Sequence, residues 1–192
     1  MATTLAESIV RKLIATSVVE EVDRELYVYG FFLLIAGSYF FFVTITLGCF
    51  LRIPLECIIF YVVFFSLRSY AGGIHAKSEA ICTLLTTLAL GLSLMAIKML
   101  EISSKEMFSL LVVSDVCILF LSPIDNPGKP LDMEQLRNCR KKSLVFLIVY
   151  NMVILVFSIL RLKNLCCSVL YGISLEAILL SVGTLCSQHW NC

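Results

Sequence analysis

The stretch YVYGFFLLIAGSYFFFVTITLGCF, residues Tyr27 to Phe50, contains no charged residue. A bilayer's hydrocarbon core is crossed by about 20 consecutive apolar residues in a helix, so this run is ample for one span. The rest of the composition agrees. Of 192 residues, 59% are hydrophobic and 15% are charged, and the mean hydropathy is +0.95. A soluble domain of this size would be about half apolar and a quarter charged, so the chain has too little polar surface for a water-soluble shell. A net charge of +1 gives no pull toward nucleic acid.

Five further apolar runs follow: Ile53 to Leu67 with Glu56, Cys82 to Leu100 with Lys98, Met107 to Leu121 with Asp115, Ser143 to Leu160, and Leu165 to Cys186 with Glu176. The expected fold is an all-α integral membrane protein with about six transmembrane helices. It is read as a single membrane domain over residues 1–192, with the bundle at 27–186. Residues 1–25 differ. Leu5, Ile9, Leu13, Ile14, Val18 and Val22 recur at helical spacing among Glu7, Arg11, Lys12, Glu20 and Glu21. That pattern predicts an amphipathic helix, lying in the membrane interface or on the protein's own cytoplasmic face.

Basic residues set the expected orientation. With a cytoplasmic N-terminus, the inner side holds Arg11, Lys12, Arg24, Arg68, Lys77, Lys129, Arg137, Arg140, Lys141 and Lys142. The outer side holds Arg52, Lys98, Lys105, Arg161 and Lys163. The positive-inside rule then favours both termini inside, with loops 68–82 and 122–142 on the cytoplasmic face of the membrane. Nine cysteines are many, but Cys49, Cys57, Cys117, Cys166, Cys167 and Cys186 sit in apolar runs, where a thiol acts as a small hydrophobe. No Cys/His spacing suggests zinc, and neither a metal nor a cofactor is expected.

The chemistry concentrates between Arg68 and Cys82, in the sequence RSYAGGIHAKSEAIC. The Gly72-Gly73 pair after an apolar helix bends the backbone and permits positive φ. On one straight helix His75 and Cys82 would share a face but stand about 10.5 Å apart along the axis. Proton transfer needs roughly 3 Å. If the two act together, the backbone must break between them. Ser78 is a good N-cap, and a helix starting there places Cys82 in its first turn, where dipole and free N–H groups favour a thiolate. By spacing alone, a His and a Cys this far apart are equally at home as an incidental pair, with Arg68 and Lys77 as ordinary flanking charges.

Arg68, Gly72-Gly73, His75-Ala76 and Cys82 resemble the signature of the accessory gene regulator B family of bacterial quorum-sensing peptidases. The stretch Ser122 to Leu131, SPIDNPGKPL, resembles that family's Pro- and Lys-rich cytoplasmic loop. The resemblance implies a thiol protease that cuts the C-terminal part off a small amphipathic AgrD-like propeptide and helps cyclise it into an autoinducing peptide. Cys82 would be the nucleophile and His75 the general base. Arg68 would hold an acidic stretch of the peptide or shape the loop, and Gly73 would permit the turn. The implied partners are this propeptide and membrane lipid; a homodimer is compatible with the reading, and nucleic acid is not.

Supporting roles are open among several residues. Glu79 or Ser78 could orient the imidazole, or serve as a solvated charge and a cap. Asp115, at membrane depth, needs a partner, for which Lys98 and His75 are candidates, and Glu176 poses the same question. Asn126, Lys129 and the Arg137 to Lys142 cluster could bind an acidic peptide tail or anionic headgroups. The competing reading is a small transporter or peptide exporter, with Asp115, Glu176 and Lys98 lining a path.

Overall fold

The computed structural model describes residues 2–72, 79–123 and 133–189. These residues form seven α-helices and one 3-10 turn, with no strand among them. The helices are α1 (Ala2–Ala15), α2 (Arg24–Leu51), α3 (Pro54–Ala71), α4 (Glu79–Met99), α5 (Ser104–Leu121), α6 (Met133–Ile159) and α7 (Lys163–His189). Four segments are long and apolar enough to cross a membrane: Glu21–Leu51, Pro54–Ala71, Met133–Ile159 and Lys163–Leu185. Within α4 the shorter run Thr83–Met99 is apolar, and α5 carries Lys105, Glu106 and Asp115 among its residues. An all-helical architecture therefore stands, with four helices long and apolar enough to be candidate membrane spans against the six expected.

The N-terminal expectation needs a correction. The helical spacing of apolar residues continues to Val22, but α1 stops at Ala15 and residues Glu21–Asp23 form the 3-10 turn. The Thr16 hydroxyl donates to the carbonyls of Lys12 and Leu13. Ser17 then takes a left-handed φ of 55°. The Ser17 and Val18 amides close onto Ile14 and Leu13, a Schellman terminus. Periodicity alone does not register such a stop, because Thr and Ser compete for backbone carbonyls through their hydroxyls.

The same terminus recurs twice. Arg52 (φ 61°) ends α2 and Arg161 (φ 57°) ends α6, with amides of the next residues, Ile53 and Leu162, reaching back to Gly48 and Phe157. Each accommodates a left-handed residue without glycine.

Residues 1–43 and 44–192 are two compact units. In the larger, α7 is the hub and packs against α3, α4, α5 and α6. Val63, Leu67, Ile118, Leu147, Val169, Ile173 and Leu180 are buried together. Many outward side chains are large and apolar, among them Leu92, Phe120, Ile148 and Leu155, a surface suited to lipid rather than water. Gly172 marks a close crossing of α7 and α3. A Cβ there would stand 2.9 Å from Val63 Cγ1 and 3.1 Å from the Phe60 carbonyl oxygen. Small residues at such crossings let backbones approach where lipid supplies no hydrophobic drive.

Polar contacts fix which helix ends lie together. Ser122, after α5, donates to Ser143 of α6. Tyr70 of α3 stacks on Phe146 of α6, and the Lys142 ammonium lies 5.1 Å from the Tyr70 ring centre. At the opposite end Ile53, Glu56, Ile97, Lys98 and Asn164 line one small cavity. Arg68 and Lys142 thus share one end and Lys98 occupies the other, the same grouping that the charge pattern implies. The first turns of α6, Met133 to Lys142, continue past the apolar run that begins at Ser143 and carry its basic residues.

Candidate functional site

The end of α3 shapes the mouth of the His75–Cys82 loop. α3 starts with Pro54 at its N-terminus, where a missing amide costs nothing, and ends at Ala71 with Gly72 as the cap. Gly72 has φ 83° and ψ −152°, a region essentially restricted to glycine. Positive φ is therefore required at Gly72, the first of the two glycines.

Arg68, one turn earlier, holds both polar groups of Gly72. Its carbonyl accepts from the Gly72 amide at 3.3 Å, and its Nη1 donates to the Gly72 carbonyl at 3.1 Å. The same Nη1 stands 4.0 Å from Oε2 of Glu176. Glu176 lies in the middle of α7, is fully buried, and neither of its oxygens has a hydrogen-bond partner among the described residues. An ionisable side chain at such depth needs compensation, and the Arg68 guanidinium, at 4.0 Å and without a hydrogen bond to it, supplies part of this.

On the far side of the loop, Cys82 belongs to the first turn of α4, which runs from Glu79. His75, Gly73, Ser78 and Lys129 lie outside the described residues, as do the side chains of Glu79 and Cys82. The described part of this stretch is thus its two flanks: the Arg68–Gly72 hydrogen bonds before it and the opening turn of α4 after it.

Asp115 is elsewhere. Its carboxyl neighbours Asn151 of α6, yet its Oδ1 is buried without a hydrogen-bond partner among the described residues; the Asn151 amide donates to the Leu147 carbonyl at 2.9 Å. Lys98, considered above as a partner for Asp115, sits instead at the opposite end of the bundle, beside Glu56 and Asn164. Nearby, Ser114 donates to Ser174 across α5 and α7 at 3.0 Å, and Ser66 of α3 bonds to Tyr150 of α6. These are interhelical ties. The three charged residues of the transporter reading therefore have separate local partners or positions. Sequence reasoning singled out Arg68 and Glu176 separately and missed that they pair; an acid in a span and an arginine at a span's end was the available signal. No group of His, Cys, Asp and Glu suited to a metal occurs among the described residues.

The described residues define an all-helical chain with helices long and apolar enough to cross a membrane, in which the Arg68–Gly72 contacts precede residues 73–78 and α4 follows them. The sequence model of the accessory gene regulator B family matches residues 3–180, and the chain belongs to that family, which serves accessory gene regulation in quorum sensing. It is 26% identical over 181 residues to an AgrB-like protein of Clostridium perfringens strain SM101, covering 88% of this chain and 84% of that one. A second relative, AgrB-like protein 2 of Clostridium perfringens strain 13, is 28% identical over 171 residues, covering 81% and 78%. The accessory gene regulator protein B of Staphylococcus haemolyticus is 29% identical over 121 residues, 62% of each chain. No solved structure matches the chain.

Proposed function

We propose that this chain is a membrane cysteine endopeptidase that removes the C-terminal part of a small amphipathic AgrD-like propeptide and assists its cyclisation. Cys82 is the nucleophile and His75 the base. The observation that carries this reading is the bracing of the loop: Arg68 grips Gly72 just before His75, and Cys82 follows in the first turn of α4. A catalytic loop at a membrane surface needs fixed ends, since a misplacement of about 1 Å can cost a hundredfold in rate.

In this mechanism the Cys82 thiolate attacks the scissile carbonyl and forms a C–S bond. His75 donates a proton to the departing amine as the C–N bond breaks, leaving a thioester on the enzyme. A thiol or hydroxyl within the peptide then attacks that carbonyl, and Cys82 leaves as thiolate. Exchange of one thioester for another changes little bond energy, so the site's second task is to keep water from the acyl group. The six-span arrangement with the loop on the cytoplasmic side belongs to the same proposal.

Co-expression with a candidate propeptide, carrying an amphipathic leader, a central Cys or Ser and an acidic tail, tests it. Cleavage should occur with the wild type and disappear with Cys82→Ser and His75→Ala. Undiminished cleavage by both variants would sink the assignment. Under the transporter reading, Cys82→Ala would leave transport intact.

A further inference from the structure

We propose that Glu176 is a positioning residue for the His75–Cys82 loop, acting from the core of α7 through Arg68. The proposal rests on the reading of that loop as catalytic and names a residue that lies a hundred positions further along the chain.

Arg68 Nη1 carries two hydrogens in the guanidinium plane. One is directed at the Gly72 carbonyl, at 3.1 Å. Nη1 also stands 4.0 Å from Oε2 of Glu176, an ion pair without a hydrogen bond. The Arg68 side chain is 21% exposed, whereas that of Glu176 is 0% exposed. The exposed partner can turn on its flexible stem; the buried one cannot. Glu176 therefore anchors the guanidinium, and the guanidinium anchors Gly72.

The anchoring has something to work against. Gly72 sits at φ 83° and ψ −152°, a conformation that persists only where its surroundings hold it. The Gly72 carbonyl is the last acceptor before the loop. Losing the grip on it would let the loop's entry relax toward other glycine conformations. Glu176 also gains nothing from being at this depth unless it has a cationic partner, since an apolar side chain would pack there without desolvation. Its placement opposite the loop-bracing arginine gives that burial a use. The close approach at Gly172, one turn earlier on α7, brings α7 near enough to α3 for the two side chains to meet.

The test measures Cys82 itself. The full chain, in phospholipid vesicles at neutral pH, is treated with iodoacetamide, and alkylation of the Cys82 and Cys139 peptides is followed by mass spectrometry. Cys139, on the basic first turns of α6, is the internal reference in the same molecule. A thiol with an ordinary pKa is only a few per cent thiolate at neutral pH, so loss of an ordered base beside it slows alkylation by about tenfold. Glu176→Gln, nearly isosteric, should lower the Cys82 rate by about that factor while the Cys139 rate holds. Glu176→Asp, which keeps the charge, should recover most of it. His75→Ala should show the same loss as Glu176→Gln.

A purely structural role for Glu176 would slow neither cysteine selectively, or would change both together; either result overturns the proposal. If His75→Ala slows Cys82 and Glu176→Gln does not, the dyad stands and the positioning role falls. If His75→Ala has no effect either, the catalytic reading falls and takes this one with it.

Discussion

The crossing of α3 and α7 can be tested by changing Gly172 to Ala. The added Cβ would meet Val63 Cγ1 at 2.9 Å, Val63 Cβ at 3.0 Å and the Phe60 carbonyl oxygen at 3.1 Å. Two of these atoms belong to a β-branched side chain with little rotamer freedom, and the third is backbone. Neither can yield cheaply. Overpacking of this kind costs about 1–3 kcal/mol, so about 2 kcal/mol is expected. Val63 is itself 2% exposed, and Val63→Ala should cost about 1–2 kcal/mol in lost packing. The double variant separates clash from general fragility. Removing Cγ1 takes away the shortest contact, so Gly172→Ala with Val63→Ala should be less destabilised than the sum of the two singles by about 1 kcal/mol or more. Reversible unfolding in mixed micelles, followed by far-UV circular dichroism, supplies the three differences. Additivity within about 0.5 kcal/mol would show that the helices do not touch where the close contact lies.

Gly72→Ala forces a side chain into a glycine-only conformation at a cost of about 1–3 kcal/mol; it should abolish propeptide cleavage while only modestly lowering the melting temperature. Ser103→Ala removes one half of the capping box that Ser103 and Glu106 form at the start of α5. The Ser103 backbone amide and hydroxyl hold the Glu106 carboxyl below its usual value. The box therefore stabilises the fold above the ordinary carboxylate range and is lost as pH falls through Glu106's lowered pKa, so the melting-temperature gap between wild type and Ser103→Ala should narrow in acid. Arg161→Gly should stabilise the α6 terminus by about 1 kcal/mol, since a non-glycine residue in the left-handed region is penalised; an unchanged unfolding midpoint would contradict the geometry.

Much of the architecture was legible from hydropathy because each span can be recognised by itself. Tyr27 to Phe50 lies within α2, Ile53 caps α3, and the run ending at Leu121 ends α5. The stretch 68–82 also stood out, since an Arg, a glycine pair, a His and a Cys interrupt an otherwise apolar chain, although Arg68 to Ala71 belong to α3 and Glu79 to Cys82 to α4. The stop of α1 at Ala15 was not legible: it depends on where the Thr16 hydroxyl finds carbonyls and on the left-handed turn at Ser17. The neighbour of Asp115 was not legible either. Asn151 and Asp115 sit in separate runs, and nothing in either run specifies which faces meet.

The sequence by itself determined residence in the membrane and the family, because lipid admits backbone only as self-satisfied helices of sufficient apolar length, a property of each segment alone. The tertiary structure decided that α7 is the hub, that Gly172 lets α3 come close, and that Glu176 meets Arg68. Lipid is as apolar as a packed core, so a transmembrane helix carries no apolar stripe to announce its buried face. Which face turns inward is settled by small residues and polar pairs, and those acquire meaning only when the neighbouring helix is in place.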